Sequence, residues 1–250
     1  MKELFDTKIL SNVEVAENIF RLVIDAPKLS EISRAGQFVQ VKISDSFTLR
    51  RPLGIASARN GQIKIFFRVR GHGTKFLSTM NRGNSLSILG PLGNGFDTET
   101  NENILLIGGG MGLAPLLCAA EQLKKSAVFI GGKNFDEVIF WSEEFRSKVD
   151  KVFVATDDGS FGKKGFIIDY LAEVLSSDNY SAIYTCGPEI MMRGVAKIAE
   201  EKNIACKVSF ERRMACGLGA CLSCSIDTTE GRKKVCKDGP IFDSKKVFAD

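Results

Sequence analysis

Cys216, Cys221, Cys224 and Cys236 follow one another as C-x4-C-x2-C-x11-C, inside CGLGACLSC and VCKDGP. Four thiolates make a soft-metal ligand set. C-x4-C-x2-C with a distant fourth cysteine is the plant-type [2Fe–2S] spacing. Three thiolates drawn from one short loop must converge on a compact group, which demands small residues between them. Gly217, Gly219, Ala220 and Ser223 meet that demand. The glycines also allow positive φ, which turns backbone N–H groups toward sulfur and steadies an anionic cluster. Structural zinc takes four cysteines too, but favours two short C-x2–4-C pairs, and only one fits here. Cys118, Cys186 and Cys206 sit in apolar or strand-like surroundings and read as packing residues. Arg212, Arg213, Lys233, Lys234 and Lys237 flank the loop. They read either as a solvated basic face or as charge that compensates a cluster and attracts a redox partner.

A second set of motifs is rich in glycine. ILLIGGGMGLAP at 104–115 is a strand running through Gly108, Gly109, Gly110, Met111 and Gly112 into a helix start. Such a turn lets backbone approach a pyrophosphate, and the helix adds N–H groups and a favourable dipole. It lacks the third glycine of the strict G-x-G-x-x-G fingerprint. TDDGS at 156–160, with Asp157, and CGPEI at 186–190, with Cys186, Gly187, Pro188 and Glu189, each follow an apolar run. Both are expected at carboxyl ends of parallel strands, where open α/β sheets bind ligands. RRPLGIAS at 50–57 and GHGT at 71–74 supply an arginine before a proline-stiffened turn and a Gly-Thr loop. These would hold a diphosphate from two sides, or serve as ordinary turns. His72 is the chain's one histidine. Its place between glycines suits a solvated loop, and its solitude argues against a Ser-His-Asp triad or a histidine metal site.

The elements needed to hold these motifs follow from the apolar patterning. Residues 1–98 read as short strands, among them 19–24, 38–43 and 62–69, separated by glycine and proline turns, which predicts an antiparallel β-barrel. DTETNEN at 97–103 is a hydrophilic linker. Apolar runs at 104–107, 127–130, 152–156 and 182–185 alternate with helical patterns through residue 210. That alternation predicts a parallel sheet flanked by helices. From Arg212 the pattern gives way to a loop-rich cysteine segment. The expected fold is therefore a β-barrel at 1–98, an α/β nucleotide domain at 99–210 and a small iron–sulfur segment at 211–250. A chain of 250 residues with 44% hydrophobic and 26% charged residues is ordinary globular material. Its net charge of +4 does not argue for nucleic acid. The longest uncharged stretch, at 103–120, holds four glycines and a proline and is a poor membrane span. The N-terminus shows no signal-peptide pattern, so a cytoplasmic location is expected.

Taken in order, RRPLG, FFRVRGHGT, GGGMGLAP, TDDGS, CGPEIM and CGLGACLSC with VCKDGP make the chain resemble the ferredoxin–NADP reductase superfamily over nearly its whole length. Within it, the cysteine motifs resemble those of the electron-transfer subunits of NAD-linked dihydroorotate dehydrogenases. The resemblance implies FAD in the barrel, at Arg51, Pro52, Leu53, Gly54, Phe66, Phe67, Arg68, Gly73 and Thr74. It implies NAD at Gly108, Gly109, Gly110, Met111, Gly112, Asp157, Cys186, Gly187, Pro188 and Glu189. It also implies a [2Fe–2S] cluster on the four cysteines and an FMN-containing catalytic partner, in a heterotetramer of two plus two. Electrons would pass from that partner through cluster and FAD to NAD⁺, with no side-chain acid or base required. The resemblance also covers small subunits of NAD(P)H-dependent ferredoxin reductases and sulfide dehydrogenases, the alternative function. One departure stands out: Gly54 replaces the serine of the common Arg-Pro-x-Ser turn. The 157–160 loop contains no arginine to meet a 2′-phosphate, which favours NADH over NADPH.

Overall fold

The computed structural model describes residues 3–248; residues 1, 2, 249 and 250, at the outer ends of the first and last expected units, lie outside it. β1 (Glu3–Ala16), β2 (Ile19–Asp25), β3 (Phe38–Lys42), β4 (Arg51–Arg59), β5 (Gln62–Arg68) and β6 (Ser85–Leu92) close into an antiparallel barrel in the order β1-β2-β5-β4-β3-β6. Closure pairs every strand on both sides and leaves no exposed edge. Its interior takes the apolar alternates of each strand: Leu22, Ile24, Ile63, Ile65 and Ile88 are fully buried. Two short helices, α1 (Pro27–Ile32) and α2 (His72–Ser78), fill the connections.

Two sequence expectations change here. RRPLGIAS is not a turn: all but Arg50 lies in β4, making up most of it, and is paired with β3 and β5. Pro52 is tolerated because it stands at the strand's start, where a missing N–H does least harm. GHGT is not a free loop either: Gly71 caps α2, and the Thr74 hydroxyl accepts the Arg70 and Gly71 N–H groups. His72 is exposed, as expected.

The second half is a parallel sheet built from β7 (Ile104–Gly109), β8 (Ser126–Gly132), β9 (Lys151–Thr156), β10 (Lys163–Lys164), β11 (Ala182–Cys186) and β12 (Ala205–Ser209). It is flanked by α3 (Leu113–Gln122), α4 (Phe135–Arg146), α5 (Ile167–Ser176) and α6 (Glu189–Glu201). β7 is buried along its whole length, which is why its sequence reads as an unbroken apolar run. The cysteine segment is less irregular than expected. It forms a hairpin, β13 (Ser225–Thr228) with β14 (Gly231–Lys234), then β15 (Ile241–Asp243) and α7 (Ser244–Val247). β15 joins the sheet as an antiparallel edge strand, giving the order β10-β9-β8-β7-β11-β12-β15.

Two cores hold these layers together. One runs from the barrel interior through α3 and α4 to the sheet face carrying Ile104 and Leu106. The other covers the opposite face, at Leu105 and Ile107, with α5 and α6. That second core also takes in Cys224 and Cys236 of the cysteine segment and Phe38 and Leu92 of the barrel. Asn94, just past β6, donates its N–H to the Gly239 carbonyl, so the KDGP turn seats on the barrel. No helix among the described residues is long and apolar enough to cross a membrane.

Candidate functional site

The sheet order reverses at β7: the chain runs outward through β8, β9 and β10 on one side, then returns to β11 on the other. A crevice opens beyond the carboxyl ends of strands at such a switch point. Here it is bounded by the glycine turn after β7, whose Gly110–Gly112 forms a single 3-10 turn, and by Gly187 and Pro188 after β11. A cleft of about 530 Å³ lies there, lined by Gly109, Gly110, Met111, Asp157 and Pro188 among the expected residues. A second cavity of about 270 Å³ lies where the barrel faces the sheet. It is lined by the expected Pro52, Leu53, Gly54, Phe66, Phe67, Arg68, Met111 and Cys186. Arg68, Arg70 and Met111 line both. The two spaces therefore share one wall, the arrangement needed for two ring systems to exchange a hydride at contact.

Several expected residues are placed elsewhere. Gly108 and Gly112 line neither space. A Cβ on Gly108 would stand 2.7 Å from the Leu113 side chain, and one on Gly112 would stand 2.4 Å from the Cys186 carbonyl oxygen. Both glycines let α3 pack tightly on the strand ends. Glu189 is occupied by ion pairs at 3.1 Å to Arg193 and to Arg212. Gly187 lies against the Gly109 backbone, where a Cβ would come within 3.1 Å. Cys186 is buried and lines the barrel-side cavity rather than the nucleotide cleft. Burial raises its thiol pKa, the nearby Glu211 charge adds to the rise, and the Ser209 hydroxyl opposes it. Phe66 packs its ring on Trp141 at 5.0 Å and Phe67 stacks on Phe20 at 5.5 Å, so both rings also serve the core. Arg51, Gly73 and Thr74 line neither space: a Cβ on Gly73 would fall 2.6 Å from the Arg51 guanidinium, so the glycine makes room for it, while the Thr74 hydroxyl is engaged by the Arg70 and Gly71 backbone. A Cβ at Gly54 would meet only Pro115, at an ordinary 3.7 Å.

Three charged residues that sequence reasoning missed line these spaces: Arg70 on the shared wall, Glu211 on the barrel side and Lys133 in the nucleotide cleft. Glu211 lines the barrel-side cavity; burial raises its carboxyl pKa, and Arg70 pulls it back down. Arg68 reaches Glu137 across the cleft at 3.8 Å, and its Nε is buried with no hydrogen-bond partner among the described residues. Lys133 lines the nucleotide cleft close to Asp157, supplying a cation that the 157–160 loop lacks. The glycine pair Gly131 and Gly132, straight after an apolar run, was the available signal for this wall.

The four motif cysteines come together as two pairs. The Cys216 sulfur accepts the Leu218 N–H at 3.3 Å and the Cys221 N–H at 3.5 Å, and meets the Cys221 thiol. The Cys224 sulfur accepts the Cys236 N–H at 3.4 Å and meets the Cys236 thiol. Burial works to raise the Cys216 pKa but is outweighed by the N–H groups of Leu218, Cys221 and Ala220, which bring it to about 6. Cys236 is pushed up to about 12, first by burial and then by Cys224, with Cys216 close enough to add to it. No group of three or more His, Cys, Asp or Glu side chains among the described residues is drawn together as a single-ion cage. Two thiol pairs in one neighbourhood fit the ligand set of a binuclear iron–sulfur cluster, which these four residues would hold. Gly217 and Gly219 adopt φ of +68° and +86°, as the loop reading requires. Cys118, Cys186 and Cys206 are buried and unpaired, the expected packing role.

Comparison with known proteins settles the family. A sequence model of the iron-sulfur cluster binding domain of dihydroorotate dehydrogenase B matches residues 211–248, and one of the oxidoreductase NAD-binding domain matches residues 106–197. The electron transfer subunit of dihydroorotate dehydrogenase B (NAD(+)) from Clostridium perfringens is 36% identical over 251 residues, covering 98% of each chain. The chain belongs to this family. The Bacillus pumilus subunit is 35% identical over 99% of this chain and 98% of its own. Membership makes the chain an oxidoreductase component that carries electrons for a catalytic partner, through an iron–sulfur domain and an NAD-binding domain. Among solved structures, one of an NADH-dependent reduced ferredoxin-NADP oxidoreductase, reported in a study of flavin-based electron bifurcation, aligns with a TM-score of 0.88 and 31% identity. It covers 96% of this chain and 89% of its own. A ferredoxin NADP+ reductase from Neisseria gonorrhoeae with bound FAD and NADP shares the fold at a TM-score of 0.65 and 15% identity, over 79% of this chain and 91% of its own.

Proposed function

We propose that the chain passes electrons between an FMN-containing dihydroorotate dehydrogenase subunit and NAD⁺, as half of a two-plus-two heterotetramer. The observation that carries the reading is the wall of Arg68, Arg70 and Met111 shared by the two cavities, with the cysteine segment packed against the barrel beside them. In this reading the barrel-side cavity takes the flavin ring of FAD, with Pro52, Leu53 and Gly54 along it and Cys186 beneath. Arg51, with Gly73 and Thr74, faces the FAD diphosphate. The switch-point cleft takes NAD, with the backbone at Gly109, Gly110 and Met111 toward its pyrophosphate and Asp157 toward its ribose. Cys216, Cys221, Cys224 and Cys236 ligate the [2Fe–2S] cluster. A bound flavin supplies the conversion between single electrons and a hydride that neither a cluster nor a nicotinamide can make alone. The side chains need only hold the rings at contact and exclude water, and buried Phe66, Cys186 and Phe210 do the latter.

The division at residues 98 and 210 into FAD, NAD and cluster units belongs to this reading. So does a cytoplasmic location, which suits seven unpaired thiols. Preference for NADH over NADPH rests on the missing arginine at 157–160, and Lys133 is the residue that would oppose it. A comparison of KM for the two nucleotides tests this, and a lower KM for NADPH overturns it.

The 31% identical NADH-dependent ferredoxin-NADP oxidoreductase supports a second reading, in which the same chain serves a different flavoprotein. The deciding experiment takes the complex purified anaerobically from its own cells and adds dihydroorotate while the visible spectrum is recorded. Bleaching of flavin and cluster bands, reversed by NAD⁺, supports the dihydroorotate relay. Bleaching by NADH or NADPH but not by dihydroorotate transfers the function to the second reading.

A further inference from the structure

Gln40 lies in the middle of β3, fully buried, with its backbone opposite Pro52 of β4 and Leu89 of β6. Neither the amide nitrogen nor the amide oxygen of its side chain has a hydrogen-bond partner among the described residues. It is the one side chain there with both ends orphaned. Burying an amide without hydrogen-bond partners loses its hydration with nothing in return, so a barrel strand is not expected to carry one unpartnered. Val39 and Val41, its neighbours, belong to the barrel core. Gln40 lies on the alternate face with Phe38, which lines the barrel-side cavity and packs in the same core as Cys224 and Cys236.

The carboxamide meets the cysteine loop. A Cβ built on Gly217 would stand 2.9 Å from both Cγ and Nε2 of Gln40 and 3.1 Å from Leu92. Gly217 directly follows Cys216, whose sulfur already accepts the N–H groups of Leu218 and Cys221. The glycine thus serves two ends at once: it takes the positive φ of the loop and leaves room for an amide from a distant strand.

We propose that Gln40 donates a side-chain N–H to sulfur of the iron–sulfur cluster, as a positioning and potential-setting residue supplied by the flavin-side barrel. The inference rests on the iron–sulfur reading given above. An anionic cluster selects the NH₂ end of the amide over its oxygen. A donor to sulfur stabilises the reduced cluster more than the oxidised one, because reduction adds negative charge, and so raises the potential. The strand that lines the flavin cavity would then help to set how readily the cluster gives up its electron.

The test uses the full chain, purified anaerobically with its cofactors, and two variants. Gln40→Met keeps the length and removes the donor; Gln40→Glu keeps the shape and replaces the donor with an acceptor. Redox titration followed by the electron paramagnetic resonance signal of the reduced cluster is expected to show a lower potential in both. For Gln40→Met the reduced-to-oxidised ratio at a fixed potential falls about tenfold, which is 59 mV for a one-electron couple. Wild-type chain labelled with side-chain ¹⁵N glutamine is expected to show a nitrogen coupling to the cluster spin that Gln40→Met lacks. Loaded variants with an unmoved potential, or an unchanged coupling, overturn the assignment and leave the iron–sulfur reading intact. If neither variant loads, the labelled wild-type decides: a coupling supports the assignment and its absence overturns it. Wild-type chain without iron and sulfide overturns both.

Discussion

The nucleotide cleft is built at strand ends and helix starts: residues 109–111 at the end of β7 and just beyond it, Asp157 after β9, Pro188 after β11. The cysteine site instead gathers four side chains, three of them on a stretch from 211 to 224 with no helix or strand and the fourth, Cys236, just past β14. Regular elements place a cleft without help from a ligand, because the two cores fix them from both faces. A thiolate cage on irregular backbone draws much of its order from the group it binds. The thiols show the same contrast. Burial pushes Cys118 and Cys206 up to about 12, where they are inert, while backbone N–H groups bring Cys216 to about 6. Within the loop the pairs differ as well, since Cys224 and Cys236 are anchored in the core and Cys221 is exposed.

If the two regions are built independently, each can be broken alone. Cys221→Ser should have the largest effect, lowering bound iron by more than tenfold on the scale of roughly 10–100-fold for even a supporting residue. Thermal unfolding and NADH affinity of the same sample should hardly change, and a joint loss would contradict the comparison. Gly112→Ala is its mirror image, because the new methyl collides with the Cys186 and Gly187 backbone. Denaturation should show a loss of about 2 kcal/mol from overpacking, with weaker NADH binding and unchanged iron content. Arg68→Met sharpens the picture of the shared wall. Loss of one charge-assisted contact, ~1.5 kcal/mol, should weaken NADH about tenfold by fluorescence titration without changing iron.

The smallest effect is expected for Glu211→Gln, between the two regions. Burial raises the folded-state pKa of this carboxyl above its ordinary 4.5. The folded chain therefore holds the proton to higher pH than the unfolded chain, and stability falls as pH rises through that window. The glutamine variant should be the more stable one at neutral pH, and the difference should vanish below 4.5. Urea midpoints at the two ends of the window check it, and a wild-type advantage at neutral pH would reverse the sign.

The strands at 104–109, 126–132, 151–156 and 182–186 were legible as apolar runs because the sheet is covered on both faces. β1 was not, since its residues alternate between charged, polar and apolar with little bias along most of its 14 positions. β13 to β15 were missed for a related reason: SIDT and GRKK are polar strands on a small hairpin, and three residues of β15 carry no period. The proline in RRPLGIAS argued for a turn, and strand pairing on both sides prevailed. In the site, the cysteines draw together in pairs, and Asp157 and Pro188 line the switch-point cleft. Glu189 is instead taken up by arginines, one of them, Arg212, from beyond β12.

What the sequence alone determined is local. Cysteine spacing and glycine placement within one loop specify a ligand set, and an apolar run ending in glycine specifies a strand with a backbone turn. These follow from reach and φ over a few bonds. What the tertiary structure decided is which distant groups meet: Arg68 and Met111 on a wall common to two cavities, Glu211 beside Cys186, and Gln40 against Gly217. Those contacts depend on how two cores pack a barrel, a sheet and a cysteine segment against one another, and no local spacing encodes that.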